Sequence, residues 1–147
     1  MAKLPSTPLL SELFQAVSSA KTKSEKIKLL REYKRDDVKA VLIWNFDKGI
    51  NSALPEGSVP YTPNEAPAGT QHTRLAHEWT KLYNFVRGGN DSLPNMKREM
   101  MFIQLLEGLH KDEAEIICLT KDKNLQTKYR ITRAVVEEAY DEIQWRD

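Results

Sequence analysis

One cysteine, three histidines and six glycines are all this chain of 147 residues has of the types on which much chemistry and most tight turns depend. A single Cys118 excludes an internal disulfide and makes a four-ligand zinc site improbable. It stands beside Ile116, Ile117 and Leu119, where a small buried hydrophobe is the ordinary role. Neither charge sign is in excess: 22 basic residues face 21 acidic ones, for a net charge of +1. Overall charge therefore demands neither nucleic acid nor membrane. No apolar run approaches the roughly 20 residues that span a bilayer. Met1 to Leu10 is short and broken by Pro5 and Pro8, so neither a signal peptide nor an anchor is expected there. The expected setting is cytoplasmic.

Catalytic motifs are equally scarce. His77-Glu78 is not part of a zinc-protease helix, because Lys81 stands where the second histidine would be. His72 is five positions away, off the same helix face, and His110 stands alone. Gly88-Gly89-Asn90 lacks the Gly-Lys-Ser/Thr ending of a phosphate loop and follows a helical pattern rather than a strand. There is no Gly-x-Ser-x-Gly elbow. Lys121-Asp122-Lys123-Asn124 ends in asparagine, so the Lys-x-Asp-Gly motif of nucleotidyl transfer is missing too. The expectation is a non-enzymatic protein with no cofactor, no metal and no small-molecule substrate.

What the chain has is helical patterning. A loose tail is expected over 1–7, then Thr7-Pro8 opens a helix with Leu9, Leu10, Leu13, Phe14 and Val17 at helical spacing. Thr22 and Glu25 make a capping box for a second helix, through about Tyr33. Asp36-Asp37 gives an acidic first turn to a third, strongly apolar helix that stops at Lys48-Gly49. Residues 50–73 hold Pro55, Pro60, Pro63 and Pro67 and cannot be a regular helix. A long loop wrapping the body, pinned by Leu54, Val59 and Tyr61, is expected. Thr73 caps a fourth helix with Leu75, Trp79, Leu82, Tyr83 and Val86 as its stripe.

The strongest pattern is Leu93 to Lys121, a helical hairpin. Ser92 and Pro94 start its first helix, whose methionines Met96, Met100 and Met101 read as core beside Phe102 and Leu105. Asp112 and Glu115 cap the second. A final helix is expected over about 131–143. The expected fold is all-α: a single-domain bundle of about seven helices with one long proline-rich loop.

Two basic clusters stand out. Lys21 to Lys39 carries eight cations against four acids. Lys121 to Arg133 carries Lys121, Lys123, Lys128, Arg130 and Arg133 against Asp122 alone. The second lies between a helix exit and the next helix entry, where backbone N–H groups can add to phosphate binding. Tyr129 offers a ring for a sugar or base. The bland alternative is a solvated basic turn balancing the acidic last helix.

The stretches SSAKTKSEKIKLLREYKRDDVKAVL (18–42) and Gly89 to Ile143 carry a family likeness. The second runs through a Gly-Asn turn, a helix, an acidic cap, a helix with a basic-acidic end, a short turn and a final helix. This order resembles the N-terminal helical DNA-binding domain of ATP-dependent DNA ligases, especially those of tailed bacteriophages. The resemblance implies a grip on duplex DNA through phosphates, with Lys121, Lys123, Lys128 and Arg130 as backbone contacts. It departs from the family in having Gln126-Thr127-Lys128 where a glycine is usual, and no adenylation or OB domain accompanies it. The expectation is a stand-alone, non-ligating phage module. The alternative is a protein-interaction or virion-associated module docking a replication or virion protein through the 50–73 loop, with Tyr61 and Trp145 as anchors. Its place would be the host cytoplasm or the virion.

Overall fold

The structure, a computed structural model, describes residues 4–66 and 72–146. Among them are seven α-helices and no strand. These are α1 (Leu10–Ser19), α2 (Lys23–Glu32), α3 (Asp36–Phe46), α4 (Leu75–Glu78), α5 (Asn95–Gly108), α6 (Lys111–Lys121) and α7 (Arg133–Ala139), with 3₁₀ turns at Trp79–Phe85 and Leu125–Thr127. The all-α bundle is as expected. One contiguous apolar cluster, from Leu10 to Tyr140, draws on every α-helix.

Local chemistry explains where several helices start. Thr22 Oγ1 accepts the Glu25 N–H at 3.2 Å, which fixes the first turn of α2. Thr132 does the same for α7, accepting the Val135 N–H at 3.3 Å. For α3, the N-terminal partner is an ion pair in which the partly exposed Arg35 clasps the buried Asp37 at 3.0 Å. His110, not Asp112, caps α6: its Nδ1 accepts the Asp112 N–H at 3.1 Å. Pro94 is the N-cap of α5 and Ser92 lies before it, uninvolved in the cap.

Three sequence expectations need correction. The fourth helix is α-helical for only one turn, then tightens to 3₁₀ through Phe85. Its end is drawn into extended pairing with the loop: Ala53 N–H bonds Phe85 O and Arg87 N–H bonds Asn51 O, both at 2.8 Å. The last helix is shorter than expected, because the backbone leaves helical geometry at Tyr140, whose hydroxyl reaches Leu30 O at 2.6 Å. Met96 and Met100 do not share the core, whereas Met101 packs against it. Met96 and Met100 are 76% and 57% exposed, and the buried face of α5 is Arg98, Phe102, Leu105 and Leu106.

The expected loose tail lies partly outside the described residues, at 1–3, and partly against the body. Leu4 packs on the core and Pro8 O accepts Arg35 Nη1 at 2.7 Å. Pro67 and Gly69 of the loop also fall outside the described residues. From 50 to 66 the loop is held against α5 and α6: Leu54 is buried, Val59 and Tyr61 are half-buried, and Thr62 N–H bonds Glu107 at 2.9 Å.

Candidate nucleic-acid interface

The turn after α6 does not present its cations as the charge pattern suggested. Lys121 is 3% exposed, and its ammonium donates to Pro55 O (2.7 Å), Gly57 O (3.1 Å) and Asp122 Oδ1 (2.6 Å). A lysine has three donors, and all three are used inside the protein. Lys123 takes a left-handed conformation, φ 57°. That turns its side chain back to donate to Trp44 O at 2.8 Å and Asp47 O at 2.7 Å. Burial pushes its ammonium below the usual lysine range, and Asp47 partly opposes this. Both lysines cap carbonyls of the body.

Tyr129 is also internal. It is 3% exposed and meets Phe14 edge-on at 5.9 Å, so its ring is core and offers no surface for a base. Arg133 is committed to Glu137 at 3.0 Å and Phe46 O at 3.3 Å, and its guanidinium lies 4.4 Å from the Trp145 ring centroid. Trp145 thereby folds back on the body, where the Arg146 N–H bonds the buried Asp47 carboxylate at 2.9 Å. Tyr61 packs beside Cys118. Burial first, then the Cys118 neighbour, push its hydroxyl up to about 12. Lys128 is exposed but ion-paired with Glu115, which raises its pKa. Of the six expected contacts, Arg130 alone keeps an exposed guanidinium with no partner among the described residues.

Arg130 is not alone in space. It faces the α1–α2 turn across a cleft of about 860 Å³ that also takes in Ser18, Lys21, Lys23, Lys26 and Thr132. The turn is fastened to the α7 entry from both sides. Ser18 Oγ accepts the Arg130 N–H at 2.9 Å, and Lys26 donates its ammonium to Arg130 O. Lys21, like Arg130, is exposed, and its ammonium has no partner among the described residues. Lys23 is exposed and pairs with Glu138 at 2.8 Å. The start of the ten-residue α2 opens here, where first-turn N–H groups lack intrahelical acceptors. Sequence reasoning noted Lys21, Lys23 and Lys26 as one cluster and Arg130 as another. The α2–α7 packing that joins them has no local signal, because the partners are over 100 positions apart.

Three more cations of the first basic cluster are tied to the last segment. Lys34 and Lys39 share Glu142, at 2.9 and 3.8 Å, and Arg31 donates to Glu138 O and Ala139 O at the C-terminal end of α7. The pairing with Lys34 holds the Glu142 carboxyl below its usual range. Lys28, exposed on α2 and without a partner among the described residues, carries positive charge beyond the cleft.

A family model described as a family of unknown function (DUF6433) matches residues 13–127. The chain belongs to the DUF6433 family. No curated protein and no solved structure matches it. The DUF6433 match takes in the α1–α2 side of the cleft, and stops before Arg130 and Thr132 on the other. Among the described residues no helix is long and apolar enough to cross a membrane, and no group of histidine, cysteine and acidic side chains is placed to hold a metal ion.

Proposed function

We propose that this DUF6433 chain is a non-catalytic module that holds the phosphate backbone of duplex DNA in the cleft between α2 and the entry to α7. One observation carries the proposal: the unpaired cations Lys21 and Arg130, from opposite ends of the sequence, converge on a cleft at the start of α2. Helix N-termini and converging cations suit phosphate oxygens. Among the described residues no aromatic side chain lines the cleft. Single-strand binders stack bases on aromatics, so the lining favours a duplex backbone. The ligase-domain likeness points to the same ligand class, and a cytoplasmic, phage-encoded setting accords with it. The contact set moves, however, from the turn 121–133 to Lys21, Lys23, Lys26 and Arg130.

Fluorescence anisotropy with a labelled DNA duplex across a salt series tests this. Engagement of about four phosphates gives a log–log salt slope of roughly −3.6, and Lys21→Ala with Arg130→Ala brings it to roughly −1.8. Both residues are exposed, so the double variant should keep the parent melting curve. Absence of binding at low salt, or a slope unchanged in the variant, defeats the proposal.

A further inference from the structure

We infer that the groove between the proline-rich loop and α5 docks a basic amphipathic helix of a protein partner. The groove is a cavity of about 290 Å³ with apolar walls from Leu54, Val59, Phe102 and Ile103. Glu56 and Glu99 stand at its edge, both exposed and both without a partner among the described residues. The one cation at its wall, Lys121, is already spent on Pro55 O, Gly57 O and Asp122. What remains open is apolar surface bordered by two free carboxylates.

The surface continues along α5. Met96, Met100 and Ile103 fall at i, i+4 and i+7, on one helix face. The two methionines are among the largest exposed apolar side chains of the molecule. Glu99 and Glu107 share that face. Methionine stripes adapt to varied apolar anchors, and helix-in-groove recognition reads anchors at this same spacing. Charge complementarity then selects the occupant. Lysines or arginines flanking the apolar anchors would meet Glu56 and Glu99, whereas a phosphate backbone would be repelled. The groove is therefore separate from the basic cleft in charge as well as position, and independent of the DNA-binding proposal.

The test uses the full chain and two labelled synthetic peptides. One has leucines at i, i+3, i+4 and i+7 with lysines elsewhere; the other replaces each lysine with glutamate. The lysine peptide should bind and the glutamate peptide should not. Glu56→Lys with Glu99→Lys should weaken binding at least about tenfold, since like charges across an interface are strongly disfavoured. Ile103→Ser should weaken it as well, and saturation with duplex DNA should leave it unchanged. The double charge reversal lies at exposed positions, and its melting curve checks folding. No binding of the lysine peptide, equal binding of both peptides, or indifference to the charge reversal overturns the inference. So does a concentration-dependent dimer in sedimentation that the charge reversal abolishes, which would assign the groove to a second copy of the chain.

Discussion

The carboxylate of Glu113 accepts the backbone N–H of Leu10 at 2.8 Å, across 103 positions of sequence. Its other oxygen accepts the Leu75 N–H at 3.1 Å. One side chain on α6, 1% exposed, thus satisfies the first residues of both α1 and α4. Each helix start leaves N–H groups without acceptors, and a buried acceptor there suits their orientation and partial charge.

Glu113→Ala removes both acceptors and leaves two buried N–H groups unsatisfied. Each such group costs about 1–3 kcal/mol, so a loss of roughly 2–6 kcal/mol is expected. Urea denaturation followed by circular dichroism measures it. A loss under about 0.5 kcal/mol, as surface substitutions give, would show that the bridge contributes nothing.

The same carboxyl has a pH consequence. Burial raises its pKa above the usual value, against the two backbone bonds that lower it, with the Asp37 charge adding to the rise. The folded protein therefore keeps this proton at a pH where the unfolded chain has lost it. The stability that protonation contributes is complete below the unfolded value and is lost as pH rises through the folded one. Denaturation of wild type and Glu113→Gln from about pH 4 to about pH 8 should show wild type losing stability relative to the variant as pH climbs. Parallel curves would contradict the raised value.

Lys121→Met keeps the length of the side chain and deletes its three donors. Pro55 O and Gly57 O lose their partner, and Asp122 is left half-buried without its cation. The expected cost is about 2–4 kcal/mol, with faster proteolysis confined to the loop around 55–60. Binding to duplex DNA should be unchanged, because the ammonium faces inward. A uniform loss of DNA affinity with unchanged stability would restore Lys121 as a phosphate contact.

Arg98 is the second buried cation of consequence. It is 5% exposed and donates to Asn84 O, Asn90 O and Asn95 Oδ1 at 2.9, 2.9 and 2.6 Å. It ties the glycine-containing turn after Phe85 to the first turns of α5. Arg98→Met should cost about 2–4 kcal/mol, and hydrogen exchange should rise at residues 84–95 more than elsewhere. Protection unchanged in that segment would mean that the turn holds its shape unaided.

What could be read in the sequence divides along local and distant causes. The starts of α2 and α3 were legible because Thr22, Glu25, Asp36 and Asp37 act within one turn. Both elements lie within a residue or two of where those residues put them. The fourth helix failed because its 3₁₀ ending follows pairing with Asn51 and Ala53, more than 30 positions earlier. Met96 and Met100 read as core because apolar residues exceed one stripe, and hydrophobicity alone does not say which stripe meets the core. Arg98, Lys121 and Lys123 were invisible as structural cations. Their acceptors are mostly backbone carbonyls, which leave no mark in the amino-acid pattern. Among the described residues only Arg130 of the expected contact set keeps an uncommitted charge, and its companions come from the start of α2 and the turn before it, whose cations read as a separate cluster.

Glu138 pairs with Lys23, one of the cations that line the cleft. Any ligand phosphate that reaches Lys23 must exchange with this carboxylate, one charge for another, and gains little by doing so. An isolated phosphate or mononucleotide is therefore a poor competitor. Phosphates joined along one strand would not be: with the first held by Lys21 or Arg130, as proposed, the next would be presented at high effective concentration and would displace Glu138 without a second encounter. On the proposed function, the acidic last helix would make the cleft respond to valence, favouring the polymer over its monomers.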